Sequence, residues 1–161
     1  MTEAPAVDAS PLIHLARTGN LPLLQVLAPT LVVPEPVLEE IRAKGTDDAT
    51  VRAVQEIPWL AVVQPSSAPD PLRRWDLGQG EASVLAWALS RPGTVAVLDD
   101  QKARTYAGSL GISVIGTLGI ILRAKQQGMV SQARPIVQDL IARGMYLSRA
   151  VAERALALVG E

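Results

Sequence analysis

The chain has 161 residues, 48% apolar and 19% charged, which excludes an intrinsically disordered segment and allows a real core. With no cysteine and a single histidine, disulfides and thiolate metal sites are excluded, and a His-rich metal site or a Ser-His-Asp triad has little to draw on. A net charge of −1 argues against a generally basic nucleic-acid binder, although gathering five of the 16 carboxylates at one site would leave eleven against 15 Lys and Arg.

No apolar run reaches the roughly 18 residues that cross a bilayer, so no membrane partner is expected. The first residues lack a basic segment followed by an apolar stretch. A single domain over 1–161, in a reducing cytoplasmic compartment, is the expectation.

Residues 1–4 read as a loose tail. Pro5-Ala6-Val7-Asp8 is a brief apolar run closed by a carboxylate, a first strand end. Ser10-Pro11 makes a helix start, since Ser accepts a bond from an orphan amide and Pro is preset for the first helical position. A helix over Leu12–Arg17 stops near Gly19, and Leu21–Leu27 adds an apolar turn or two. His14, between Ile13 and Leu15, reads as a packed or surface residue. Thr30-Leu31-Val32-Val33 predicts the second strand, closed by Pro34. Pro36 then opens a helix to about Lys44, ended by Gly45. On it Val37, Leu38 and Ile41 face inward, Glu40 lies at the edge of that stripe, and Glu39 points outward.

Asp48–Glu56 predicts a helix and Ala61-Val62-Val63 a short strand. Residues 65–76 are the most turn-like stretch and read as a surface loop. Within it Arg73-Arg74-Trp75 either grips a phosphate backbone and stacks a base, or is an exposed basic pair beside a core-anchoring Trp. Gly78-Gln79-Gly80-Glu81 leads into an apolar helix, Ala82–Leu89. Its glycines lack the Lys and the spacing of a P-loop or dinucleotide fingerprint. Glu81, in the first turn, either caps the helix or points into a polar pocket.

Thr94-Val95-Ala96-Val97-Leu98 is rich in β-branched residues, follows Pro92-Gly93, and reads as a buried strand ending in Asp99-Asp100. Two adjacent carboxylates at the carboxyl end of a parallel strand lie where ligands bind, and their repulsion is relieved by a proton or a cation. One of them capping the next helix is the ordinary alternative. A helix near Ala103–Leu110 ends at Gly111, and Ile112–Ile115 is the last strand. Helices follow over Leu118–Gln127, Ser131–Ala142 and Ser148–Val159, the last with a broad apolar face.

Strands alternating with helices predict an α/β domain, a three-layer sandwich around a mainly parallel sheet of four or five strands. There the ends of the first and fourth strands converge, bringing Asp8, Glu40, Glu81, Asp99 and Asp100 into one all-oxygen pocket. Hard oxygen donors select Mg²⁺ or Mn²⁺ over Zn²⁺ or copper. No side chain is an obvious covalent nucleophile, which favours metal-activated water attacking a phosphodiester.

Val7-Asp8-Ala9-Ser10-Pro11-Leu12-Ile13, Val33-Pro34-Glu35-Pro36-Val37-Leu38-Glu39-Glu40-Ile41, Gly80-Glu81-Ala82 and Leu98-Asp99-Asp100 through Arg104 resemble, in that order, the successive motifs of a PIN domain. Gly116-Thr117-Leu118-Gly119-Ile120, with Ala124-Lys125 and Gly128, is similar to a little-characterised prokaryotic branch related to VapC-type toxins. The resemblance implies metal-dependent RNA cleavage, often by the toxin of a toxin–antitoxin pair, an antitoxin partner, and often a homodimer. It implies catalytic roles for Asp8, Glu40, Glu81 and Asp100, with Ser10 supporting Asp8. It implies metal ligation by Asp8, Glu81, Asp99 and Asp100. Arg73, Arg74, Lys102 and Arg104 are the candidate cations for the RNA backbone. Glu81 is longer than the Asp of many relatives, and Ser83 stands where this branch often has a second carboxylate. Two other functions are open to the same residues: a PIN-fold module that binds RNA or protein without cutting, and an aspartyl phosphotransferase or receiver-like domain using Asp8 or Asp99.

Overall fold

The computed structural model describes residues 2–44, 48–65 and 76–161. Five parallel strands form one sheet in the order β3-β2-β1-β4-β5, flanked by helices. They are β1 (Ala6–Val7), β2 (Leu31–Pro34), β3 (Leu60–Val63), β4 (Val95–Val97) and β5 (Ser113–Ile115). The central strands bury both faces, as continuous apolar runs must in a covered parallel sheet, and every residue of β1 and β2 is buried. The edge strands β3 and β5 leave Ala61, Val62 and Ser113 exposed.

The helices are α1 (Ala9–Arg17), α2 (Glu35–Ala43), α3 (Asp48–Glu56), α4 (Gln79–Ser90), α5 (Gln101–Ser109), α6 (Thr117–Gln126), α7 (Arg134–Ala142) and α8 (Arg149–Ala157), with a 3-10 turn at Leu21–Val26. The apolar α4 lies across β1, β2 and β4 and against α2, so Val84 and Leu85 are fully buried. Helix α6 packs on α1, the 3-10 turn, α7 and α8. Burying each such side chain stabilises the fold by roughly 1.5–3 kcal/mol.

Several local expectations shift. Helix α1 begins at Ala9, two residues before the Pro11 start, and Ser10 spends its hydroxyl elsewhere: it donates to Asp99 Oδ2 at 3.3 Å instead of capping. Pro34 belongs to β2, paired with Val63. The helix expected from Ser131 begins at Arg134, where Glu161 accepts the Ala133 and Arg134 N–H groups at 2.6 and 3.0 Å. Ser148 caps α8 as expected, accepting from the Val151 N–H at 3.2 Å. Gly45 and residues 66–75 lie outside the described residues. Among the described residues no helix is long and apolar enough to cross a membrane.

Candidate functional site

The strand order creates one switch point. From β1 the chain crosses to β2 on one side, and after β3 it returns to lay β4 on the other side of β1. Helices leaving adjacent strands in opposite lateral directions open a crevice at the strands' carboxyl ends. Asp8 follows β1 there and Leu98-Asp99-Asp100 follows β4. A backbone bond from the Asp8 N–H to Val97 O, 3.1 Å, ties the two ends together. The resulting cleft, about 810 Å³, is lined at this end by Asp8, Ser10, Glu81, Asp99, Asp100 and Arg104.

The adjacent aspartates divide their work. Asp100 caps α5, accepting the Ala103 N–H at 2.9 Å, and stays exposed. Asp99 turns to the cleft floor. Its Oδ1 accepts the Thr117 N–H at 2.7 Å, and its Oδ2 accepts the Thr117 and Ser10 hydroxyls at 2.7 and 3.3 Å. Asp99 thus joins three elements, the start of α1, the end of β4 and the first turn of α6. Nothing local in the sequence shows that the Thr117 hydroxyl reaches back to a strand end 18 positions earlier.

Asp8 is 4% exposed and its side chain does not cap α1. Its Oδ1 is buried with no hydrogen-bond partner, and so is Glu40 Oε2. Both oxygens crowd the Cα of Gly80: a Cβ there would coincide with Glu40 Oε2 and stand 3.1 Å from Asp8 Oδ1. The other Glu40 oxygen meets Lys44 at 3.4 Å. Burial above all, then the charges of Glu81, Glu40 and Asp99, pushes the Asp8 carboxyl from its ordinary 3.8 up to about 7, against the opposing pull of the Ala9 N–H. Glu81 accepts the Gly78 N–H at 3.2 Å at the start of α4 and also faces the cleft, so both sequence alternatives hold at once. Burial first, then Asp100, raises its pKa too. Ser83 donates to Gly80 O at 2.7 Å, stapling the first turn of α4.

Of the candidate cations, Arg104 lines the cleft, its Nη1 lying in the space a side chain on Gly116 would fill. Lys102 bonds Asp76 O at 2.8 Å. Arg73 and Arg74 lie outside the described residues. His14 lines the cleft, and burial lowers its pKa.

Among the described residues no three acidic or histidine side chains are gathered tightly enough to cage an ion. The donor chemistry nevertheless fits a hard cation. Two buried carboxylate oxygens lack any donor, and the surrounding charges repel. Mg²⁺ typically takes one or two protein carboxylates, with waters and substrate phosphate oxygens completing its shell.

A five-stranded parallel sheet flanked by helices, with carboxylates at its switch point, is an α/β fold of PIN-like type. Residues 5–161 match the family model DUF3368, a PIN domain, and the chain belongs to that PIN-domain family. No curated protein matches the sequence.

Proposed function

We propose that the chain is a Mg²⁺- or Mn²⁺-dependent endoribonuclease acting as one domain, in which Asp8, Glu81 and Asp99 line the acidic end of the cleft and Glu40 lies against Gly80 beside it. The observation that carries this is the pair of buried, partnerless oxygens, Asp8 Oδ1 and Glu40 Oε2, over Gly80 at the switch point. A buried polar atom without a partner costs about 1–3 kcal/mol, more if charged, and a cation removes that cost. When bound, the ion supplies Lewis-acid stabilisation of the phosphodiester and a more acidic attacking water.

The chain's own residues do the rest. Asp8 and Glu40 present the unsatisfied oxygens, and Ser10 and Thr117 hold the Asp99 carboxylate toward the cleft. Asp100 orients α5, the helix that carries Arg104 to the phosphate. The sequence assigned Asp100 the catalytic place; its capping bond and exposure make Asp99 the better candidate and Asp100 a positioning residue. The toxin role, an antitoxin partner, a homodimer and a cytoplasmic setting rest on the VapC-like segment from Gly116 and the cysteine-free composition.

The strand order speaks against the receiver-like reading, since receiver domains follow 2-1-3-4-5. A second reading, RNA binding without cleavage, draws on the looseness of the carboxylates among the described residues. One assay separates the two. Single-stranded RNA is incubated with the protein and Mg²⁺ or Mn²⁺, with and without chelator. Cleavage that the chelator stops, and that Asp8→Asn and Asp99→Asn lower at least a hundredfold while Asp100→Asn lowers it less, is the expected result. Retention of RNA with no cleavage selects the binding module.

A further inference from the structure

The cleft continues beyond its acidic end, and its wall changes character there. Ile115, Leu118, Leu122, Met145 and Leu147 line the far part, contributed by β5, α6 and the segment between α7 and α8. At its mouth stands Tyr146, 98% exposed. The chain has two tyrosines, and the other, Tyr106, is 4% exposed in the core. One cavity therefore offers a set of acidic oxygens, a guanidinium at Arg104, an apolar floor and an aromatic ring held in water.

We propose that the apolar end is a base pocket: a single unstacked nucleobase of RNA lies on the Leu118 and Leu122 floor with the Tyr146 ring stacked on it. This deepens the ribonuclease reading and rests on it. A nucleotide carries an anion and a flat apolar ring on one molecule, and Arg104 and the apolar wall offer a partner to each within one cleft. The buried partnerless Asp8 Oδ1 at the other end marks the same cavity as built for a ligand. Ile115, Leu118, Leu122, Met145 and Leu147 are partly buried, so the apolar wall is recessed and suits a single ring better than a flat partner surface. Stacking accepts any base, and a base inside a duplex cannot reach the pocket, so the device selects single strands without reading sequence.

The test uses the full chain and a single-stranded RNA carrying 2-aminopurine, whose fluorescence falls on stacking. Binding is measured with Mg²⁺ present and an RNA whose linkages resist cleavage, in a background that keeps Asp8, and cleavage is measured with ordinary RNA. Tyr146→Ala is expected to weaken binding about tenfold or more and to abolish the quenching, while Tyr146→Phe and Tyr146→Trp preserve both. Light scattering is expected to show the same oligomeric state for all. Unchanged binding in Tyr146→Ala, quenching that persists, or Tyr146→Leu behaving like Tyr146→Phe overturns the base pocket. So does a changed oligomeric state in Tyr146→Ala, which assigns the surface to a second copy. Cleavage without Tyr146-dependent quenching sinks the pocket and leaves the nuclease; quenching without cleavage leaves the pocket and sinks the nuclease.

Discussion

At the scale of single residues, the site turns on how differently neighbouring carboxylates are served. Asp99 receives three donors, whereas Asp8 Oδ1 receives none. The Asp8 carboxyl, pushed up to about 7, keeps its proton in the metal-free folded chain well above the pH at which the unfolded chain releases it. A carboxyl with a raised folded pKa stabilises the fold below its unfolded value, and that contribution is lost as pH climbs through the folded one. Metal-free protein is therefore expected to lose stability between about pH 4 and 7, by at most roughly 4 kcal/mol. Asp8→Asn removes the titration. Thermal melts in chelator should find the variant more stable than the parent at pH 8 and the difference much smaller at pH 4; equal melting temperatures at pH 8 would contradict the buried Asp8 carboxyl.

At the scale of elements, the first turn of α4 is the tightest part of the site. Gly80 is glycine because Glu40 Oε2 occupies the space of its missing side chain. An alanine there gains up to about 1 kcal/mol of helix propensity, against overpacking that costs about 1–3 kcal/mol. Glu40 sits at the end of a flexible side chain already drawn to Lys44, so it yields and the net stability change stays small. Gly80→Ala is thus expected to melt within a few degrees of the parent yet lose RNA cleavage tenfold or more, because Glu40 has left Asp8. The first turn of α6 makes the complementary case: Thr117→Val keeps the shape and the N–H bond but removes the hydroxyl from Asp99. A several-fold fall in kcat with unchanged KM is expected, since the lost bond orients a group and does not touch the substrate; a rise in KM alone would mean that Thr117 contacts RNA.

For the whole molecule, the crowding of like charges at one sheet edge links metal to folding. An ion that binds only the folded chain stabilises it by about 2.7 kcal/mol at a hundredfold over its Kd, which for a domain this size shifts the melting temperature by roughly 5–10 °C. Mg²⁺ or Mn²⁺ should raise the melting temperature at pH 8 more than at pH 5, where the proton competes for Asp8. Asp8→Asn should erase most of the shift. A shift indifferent to both pH and this variant would place the ion elsewhere.

The alternation of apolar runs with amphipathic ones, set by periods of 2 and 3.6 residues, sufficed to place the strands and nearly all the helices, because those periods are properties of the local backbone. The carboxylates stood out by the same local logic: Asp8 and Asp99-Asp100 close apolar runs, and Glu40 borders a buried stripe. The convergence of the first and fourth strand ends was expected, but the order of the remaining strands was not legible, since it depends on which surfaces meet after the chain has folded back. Neither was the division between Asp99 and Asp100, which neighbouring positions in sequence make equivalent and only the donors of α1, α5 and α6 distinguish. Sequence alone thus determined the element types and the acidic candidates, through short-range periodicity and charge. The tertiary structure decided which oxygens are left without partners, because burial and hydrogen-bond satisfaction depend on residues as many as 89 positions apart.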